Sequence, residues 1–273
     1  MNSVFWKLRV TGTKILNRAR YILAAPRVFR NWWAWPLPKF GVGIVLETRS
    51  GIKFLVRPRT TDLATINEAF ILRPYLRSKL IVLRTDSVVV DVGAHVGDFT
   101  LEAAILCPQG RIYAVEPVAE FSTMIQINKL LNGFENIEII SAALGASQGV
   151  AKINLSGSSS SLHWGDGNQV QQVRQTTLAR LMSDCQIDRI DLLKMDCEGS
   201  EWEILPNSEA ILPKISQICM EYHPRDGWTG EKLATFLQSA GYTVEFTQGG
   251  WNGSLWASRM PDGAPAMRSV AGK

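Results

Sequence analysis

Apolar residues fall into two kinds of run along the chain. Short, mainly apolar runs end in polar residues or glycine, as in Val88–Val90 and Ile190–Met195. Such runs are typical of strands buried in a parallel sheet. Runs with helical spacing follow the strand-like runs, from Phe99 to Leu106 and from Ala119 to Leu131. Strands that alternate with helices in this way predict an α/β fold.

Other patterns come before and after these alternating strands and helices. Residues 42–57 contain two strand-like runs joined at Ser50-Gly51, which predicts a hairpin. A helix is predicted to follow from Leu63 to about Tyr75. Near the other end, the alternation in Tyr242–Phe246 and Ser254–Trp256 predicts two antiparallel edge strands. The main sheet is therefore expected to follow an accessory hairpin and helix and to end in an antiparallel pair.

The stretch Val88–Thr100, VVVDVGAHVGDFT, predicts a strand, a glycine turn and a helix start. Gly93 can adopt backbone angles closed to other residues and is expected to let a ligand approach the main chain closely. His95 stands where a dinucleotide fingerprint has its second glycine, which weakens that interpretation. Glu116 ends the next predicted strand, where an acid can accept hydrogen bonds from two ribose hydroxyls; the alternative is a solvated acid at a strand end. An adenosine ligand without a pyrophosphate, such as S-adenosylmethionine, is favoured.

A second informative stretch is Ile190–Leu205, IDLLKMDCEGSEWEIL. Because ligands bind at the carboxyl ends of parallel strands, Lys194, Asp196 and Glu198 are expected beside the same crevice as the glycine turn. Acids there could bind a hydroxyl, act as a general base or hold a metal. Glu201 and Glu203 follow Gly199, and their alternative interpretation is as first-turn acids stabilised by the helix dipole; this alternative is favoured for Glu203, and a functional role is favoured for Asp196 and Glu198.

His223 follows the predicted strand Ile215–Glu221. A histidine at the end of a strand beside the cleft could accept a proton from a substrate, since its ordinary pKa is about 6.5. A purely structural histidine is the alternative.

Charge is unevenly spread over the 273 residues. The chain has 29 basic and 25 acidic residues, for a net charge of +4. Residues 1–40 hold 8 of the basic and none of the acidic residues, which leaves 21 against 25, or −4, for the remainder. A broad nucleic-acid-binding face is therefore not expected. The four cysteines form no C-x-x-C pair, which argues against zinc and fits a reducing cytoplasm.

Residues 1–40 also hold four of the nine tryptophans. A basic, tryptophan-rich amphipathic segment can lie in a membrane interface. The alternative is an N-terminal helix that packs on the main domain or on a partner. We expect a cytoplasmic protein without a membrane span, with peripheral membrane contact through residues 1–40 left open.

Several motifs together resemble the FkbM family of S-adenosylmethionine-dependent methyltransferases over roughly residues 60–225. They are VVVDVGAHVGDFT, YAVEPVAEF, LLNGFENIEIISAALG, TTLARLM, LLKMDCEGSEWEIL and CMEYHP. The resemblance implies a Rossmann-like class I methyltransferase sheet of seven strands with an antiparallel last hairpin. It also implies S-adenosylmethionine as cofactor and methyl transfer to a hydroxyl of a sugar, glycolipid or natural product. Cys197 in place of an aliphatic residue and the tryptophan-rich start depart from the family pattern.

The resemblance and the strand-end positions together give two sets of site residues. The expected cofactor-binding residues are Asp91, Gly93, Ala94, His95, Gly97, Glu116, Pro117, Ala142 and Ala143. The expected catalytic residues are Lys194, Asp196, Glu198 and His223, and no metal is assigned. The expected domain organisation is a basic segment at 1–40, the accessory hairpin and helix at 41–86, the methyltransferase domain at 87–259 and a flexible tail at 260–273.

Rival functions come from other classes. An NAD-dependent oxidoreductase would use a similar corner, but His95 replaces the middle glycine of the fingerprint and the third glycine is absent. A non-catalytic binding module would need only the cofactor corner, whereas the second acidic stretch is also present. RNA methylation is disfavoured by the net acidic charge after residue 40. The identity of the acceptor and the oligomeric state are not determined by the sequence.

Overall fold

The structure, a computed structural model, describes residues 20–156, 159–161, 170–224, 227–247 and 252–259. Their contacts divide the chain between Arg73 and Pro74 into two compact units, which are described separately. The first 19 residues of the basic segment and the tail expected at 260–273 lie outside the described residues.

The elements alternate largely as the apolar pattern predicts. The helices are α1 (20–28), α2 (Asp62–Asn67), α3 (Asp98–Leu106), α4 (Ala119–Asn132), α5 (Leu178–Asp184), α6 (Glu201–Asn207) and α7 (Gly230–Ser239). The strands are β1 (Ile44–Glu47), β2 (Lys53–Val56), β3 (Val88–Val92), β4 (Arg111–Val115), β5 (Ile137–Ile140), β6 (Ala143–Leu144), β7 (Gly149–Ser156), β8 (Ser159–Ser161), β9 (Val170–Thr176), β10 (Leu192–Met195), β11 (Gln217–Tyr222), β12 (Thr243–Phe246) and β13 (Gly253–Ser258).

The first unit contains the predicted hairpin, in which β1 and β2 pair antiparallel. Its helix is shorter than the sequence predicts. After α2 the backbone widens into a π-helical turn over Glu68–Leu72 and stops at Arg73, which has a left-handed φ of 50°. The helix does not continue because the residue before a proline disfavours helical geometry, and Pro74 follows. The buried Asp62 pairs with Arg57 at 2.7 Å, which ties the helix start to the end of the hairpin.

The described part of the basic segment presents apolar side chains to solvent. Trp33 and Phe40 are 66% and 77% exposed. Trp35 instead turns inward within the first unit, where its indole Nε1 donates to Asn67 Oδ1 at 2.9 Å. No helix in the described ranges combines the length and the apolar character needed to cross a membrane.

The second unit is organised around a seven-stranded sheet with the order β12-β13-β11-β10-β3-β4-β5. Five neighbouring strands of this sheet, β11, β10, β3, β4 and β5, run parallel to one another. Strand β13 runs antiparallel to both β11 and β12. The predicted α/β fold with a reversed last hairpin is therefore confirmed. Chain order reverses between β3 and β10, and such a switch point opens a crevice at the carboxyl ends of the strands.

A smaller sheet with the order β6-β9-β7-β8 lies in the same unit. The antiparallel pair of β7 and β9 is local, but β6 pairs in parallel with β9, joining Ala143 to Gln175. This second sheet is not predicted from the sequence, because a two-residue strand such as β6 carries no periodic signal.

Candidate active site

The glycine turn after β3 lies directly against the end of β10. Gly93 has a φ of +74°, and a Cβ placed on it would lie 1.8 Å from the main-chain oxygen of Asp196. The sequence predicts a close approach of a ligand at Gly93, whereas in the structure the main chain of Asp196 occupies the space beside its Cα. This contact holds the cofactor corner and the second acidic stretch together at the switch point.

A buried ion pair joins the same two strands below the turn. Lys194 Nζ lies 2.8 Å from Asp91 Oδ1 and donates to the carbonyl oxygen of Gly93 at 2.9 Å. The second carboxylate oxygen of Asp91 accepts from Thr100 Oγ1 at 2.6 Å. Burial alone would lower the pKa of Lys194, but the adjacent Asp91 and further acids raise it above its usual value. Lys194 therefore remains charged and fixes the main chain of the turn.

Two main-chain amides hold the carboxylate of Glu116 beside the glycine turn. Its Oε2 accepts from the amide of His95 and its Oε1 from the amide of Val118, both at 2.9 Å. Burial raises the pKa of this carboxyl to about 7, although the two amides act in the opposite direction. Each carboxylate oxygen has acceptor capacity beyond one hydrogen bond, so Glu116 can still accept from hydroxyl groups.

The amides of the turn are engaged inside the protein. Those of Gly93 and Ala94 both donate to Val115 O, at 3.0 and 3.2 Å, and that of Gly97 donates to Ala94 O at 2.8 Å. A pyrophosphate cradle needs such amides directed at the ligand. The turn therefore fits a nucleoside whose ribose meets Glu116, as in S-adenosylmethionine, better than a dinucleotide.

The other predicted cofactor residues border this corner. His95 has a left-handed φ of 49°, and its ring lies 4.1 Å from that of Phe121. Gly97 caps α3, and Pro117 follows Glu116 before α4. Ala142 is buried after β5, and Ala143 begins β6. These residues lie in the segments that follow β3, β4 and β5, three adjacent strands of the sheet.

A second group of site residues, called the second cluster below, consists of His223 and the acids Asp196, Glu198 and Glu201 around it. The Nε2 atom of His223 lies 3.3 Å from Glu198 Oε2, and its Nδ1 lies 3.4 Å from Glu201 Oε1. Burial opposes the charge on the imidazole, but Glu201 and further acids raise its pKa to about 9. Burial, together with nearby Asp196, raises the pKa of Glu198 to about 7. The cluster can bind cations and can hold or exchange a proton.

Three residues of this region are outside the predicted site. Tyr75 donates from its hydroxyl to Asp196 Oδ2 at 2.7 Å, across a separation of 121 residues. Glu201 is fully buried beside the imidazole, and Glu221 Oε1 lies 3.7 Å from His223 Nε2. The acids are in stretches the sequence singles out, so strand-end position could have indicated them. Tyr75 stands at the end of a predicted helix and carries no such signal.

Comparisons with known proteins agree with these motifs. The model of the family described as Methyltransferase FkbM domain matches residues 91–244. Methyltransferase 1 of Beauveria bassiana is 28% identical over 191 residues, which cover 61% of this chain and 76% of that protein. The AMB antimetabolite synthetase AmbE of Pseudomonas aeruginosa is 27% identical over 226 residues, which cover 66% of this chain.

The fraction of its length that the match covers differs from one relative to another. The match covers only 10% of AmbE. Among solved structures, Methyltransferase FkbM from Methylobacillus flagellatus KT superposes with a TM-score of 0.47 at 17% identity. That superposition covers 72% of this chain and 53% of the other.

Proposed function

Because the chain belongs to the FkbM family of S-adenosylmethionine-dependent methyltransferases, we propose that it methylates a hydroxyl group of a small molecule, such as a sugar, a glycolipid or a natural product. When bound, S-adenosylmethionine supplies an electrophilic methyl group. The proposal depends on one observation at the glycine turn after β3. The carboxylate of Glu116 can still accept hydrogen bonds, while the main-chain amides of Gly93, Ala94 and Gly97 already donate to carbonyl oxygens of the protein.

In this proposal the turn residues bind and orient the cofactor. Glu116 accepts from the ribose hydroxyls, and the small Ala142 and Ala143 leave room for the adenine. Lys194 acts as a positioning residue, since its ammonium group is occupied by Asp91 and Gly93. Much of the rate enhancement then comes from holding the acceptor oxygen in line with the methyl group.

The second cluster is proposed to receive the acceptor. Asp196, Glu198 and His223 lie in or just beyond the ends of β10 and β11, beside the turn. One of these groups takes the hydroxyl proton as the oxygen–methyl bond forms and the sulfur–methyl bond breaks. The acidic surroundings also suit a positively charged sulfonium.

The first prediction concerns the pH dependence of cofactor affinity. Glu116 accepts ribose hydrogen bonds best when it is ionised, and its pKa is about 7. As pH rises from 6 to 8 the ionised fraction increases, so affinity for S-adenosylmethionine should rise by up to about tenfold. In Glu116→Gln the affinity should be lower by roughly 10-fold or more and this pH dependence should be lost. Isothermal titration calorimetry at several pH values measures both.

The matched control is Glu120→Gln, a nearby exposed acid on α4. It should bind as the wild type does at every pH, and NAD should not bind to any of the three proteins. Wild-type affinity in Glu116→Gln would show that Glu116 does not hold the ribose. Binding of NAD instead of S-adenosylmethionine would favour the oxidoreductase.

The second prediction concerns turnover. Asp196→Asn keeps the size of the side chain but removes its capacity to accept a proton, so kcat should fall about 10²–10⁴-fold. Affinity for S-adenosylmethionine should change little. Transfer of a labelled methyl group to a panel of hydroxylated acceptors provides the measurement, with Glu203→Gln on α6 as the control. Full kcat in Asp196→Asn would show that another group takes the proton.

A further inference from the structure

Three side chains with metal-binding atoms converge at the carboxyl ends of β10 and β11. They are Asp196, Glu221 and His223, and one ligand atom from each lies within 4.8 Å of the others. Oxygen and nitrogen ligands lie roughly 2.0–2.2 Å from a zinc-sized cation, so ligands of one ion lie up to about twice that distance apart. Only a small contraction would bring these three atoms onto a common ion.

The sheet itself produces this convergence. Met195 of β10 pairs with Met220 of β11 in parallel register, so Asp196 and Glu221 follow at adjacent strand positions. His223 is two residues beyond Glu221, and residues two apart along an extended chain share a face. The three groups are thus placed by the central strands and not by a surface loop.

A supporting carboxylate is already in place behind the histidine. Metal-binding histidines almost always direct their second ring nitrogen at a carboxylate, a main-chain carbonyl or a water molecule. Here Nε2 lies 3.3 Å from Glu198 Oε2 and 3.7 Å from Glu221 Oε1, while Nδ1 lies 3.4 Å from Glu201 Oε1. The indole of Trp202 donates to the main-chain oxygen of His223 at 2.7 Å, which also fixes the backbone of the ligand.

One buried carboxylate beside the histidine has an oxygen atom without a hydrogen bond to the described part of the chain. Glu201 is fully buried, and its Oε2 has no hydrogen-bond partner within the described ranges. Four carboxylates, those of Asp196, Glu198, Glu201 and Glu221, surround the single imidazole. Burying an ionised carboxylate is costly unless positive charge lies close to it. A bound cation would supply that charge.

We propose that Asp196, Glu221 and His223 bind a divalent cation of the manganese type. Two carboxylates and one imidazole suit Mn²⁺ or Zn²⁺, whereas Mg²⁺ prefers oxygen ligands alone. The inference rests on the proposed function, because the role of the cation is to hold the acceptor hydroxyl and make its proton easier to lose. The sequence alone assigns no metal to these residues.

Mn²⁺ binding to the full chain, treated first with EDTA and then freed of it, tests the site without any acceptor. Loss of the free Mn²⁺ signal in electron paramagnetic resonance should show one equivalent bound, and spin-echo modulation should show one nitrogen ligand. Removing a ligand in Glu221→Gln or His223→Gln should weaken binding by about a hundredfold, the upper end of what loss of a supporting group does. Glu201→Gln should weaken it by about tenfold, and Glu203→Gln should not change it.

Retained S-adenosylmethionine binding shows that each variant is folded. Absence of Mn²⁺ and Zn²⁺ binding in the wild type, or unchanged binding in the double variant Glu221→Gln/His223→Gln, would overturn the cation site. Equal methyl transfer in EDTA and in Mn²⁺ would overturn the role of the cation in holding the acceptor hydroxyl and leave the proposed function standing. One bound Mn²⁺ with the nitrogen signal, but no transfer to any hydroxyl, would support the site and remove the proposed function.

Discussion

Gly93→Ala should abolish S-adenosylmethionine binding and leave little folded protein. A Cβ at this position would lie 1.8 Å from the main-chain oxygen of Asp196, which no side-chain rearrangement can relieve. The ends of β3 and β10 would have to separate, and the pair formed by Lys194 and Asp91 bridges the same two strands. Soluble yield, circular dichroism and calorimetry with the cofactor measure the effect.

Gly133→Ala is the control that separates the effect of the close contact at Gly93 from the effect of its left-handed backbone angle. Gly133 has a φ of +65°, near that of Gly93, but no atom lies within 4 Å of the position its Cβ would take. Its substitution should therefore carry only the left-handed penalty, about 1–2 kcal/mol, and keep cofactor binding. If Gly93→Ala binds the cofactor as well as Gly133→Ala does, the contact with Asp196 is not a constraint on the fold.

Lys194→Met should lower the free energy of unfolding by about 3–5 kcal/mol, because it leaves the charge of Asp91 buried without a partner. Asp91 is completely buried, and Lys194 is nearly so. A loss of this size is a large part of the 5–15 kcal/mol that is typical of a whole domain. Urea unfolding of the full chain, followed by circular dichroism, gives the value.

Removing the charge of Asp91 as well should restore most of the stability that Lys194→Met loses. In the double variant Asp91→Asn/Lys194→Met the asparagine can still accept from Thr100 Oγ1, and no buried charge remains. We expect it to be clearly more stable than the single variant Lys194→Met. Equal stability of the two would mean that the hydrogen bond from Lys194 to Gly93 O, and not the ion pair, holds the turn.

The sequence predicts the central part of the fold well because its elements are locally specified. The predicted helix from Ala119 to Leu131 ends one residue later in the structure, at Asn132, with Gly133 in the left-handed region that such an end requires. The hairpin and the last antiparallel pair are found where alternation placed them. The early end of α2 was not predicted, since its apolar spacing continues while the backbone changes to a wider turn.

The cofactor side of the site is more predictable than the acceptor side. Glu116 and the glycine turn form one continuous βαβ unit, so chain order alone places them together. On the acceptor side, Tyr75 donates to Asp196 from 121 residues earlier in the chain, and no local pattern predicts that contact. Glu201 resembles an ordinary first-turn acid of α6, and only its burial beside His223 separates it from Glu203.

The position of β3 at the centre of the sheet also has a consequence for synthesis of the chain. On one edge β3 pairs with β4, which follows soon after it, but on the other edge it pairs with β10, starting about a hundred residues later. At roughly 5–20 residues per second, a ribosome needs several seconds or more to supply that partner. During this interval the apolar strand VVVDV has an unpaired edge, a known template for aggregation. Co-expression with chaperones that shield this edge should therefore raise the yield of native protein.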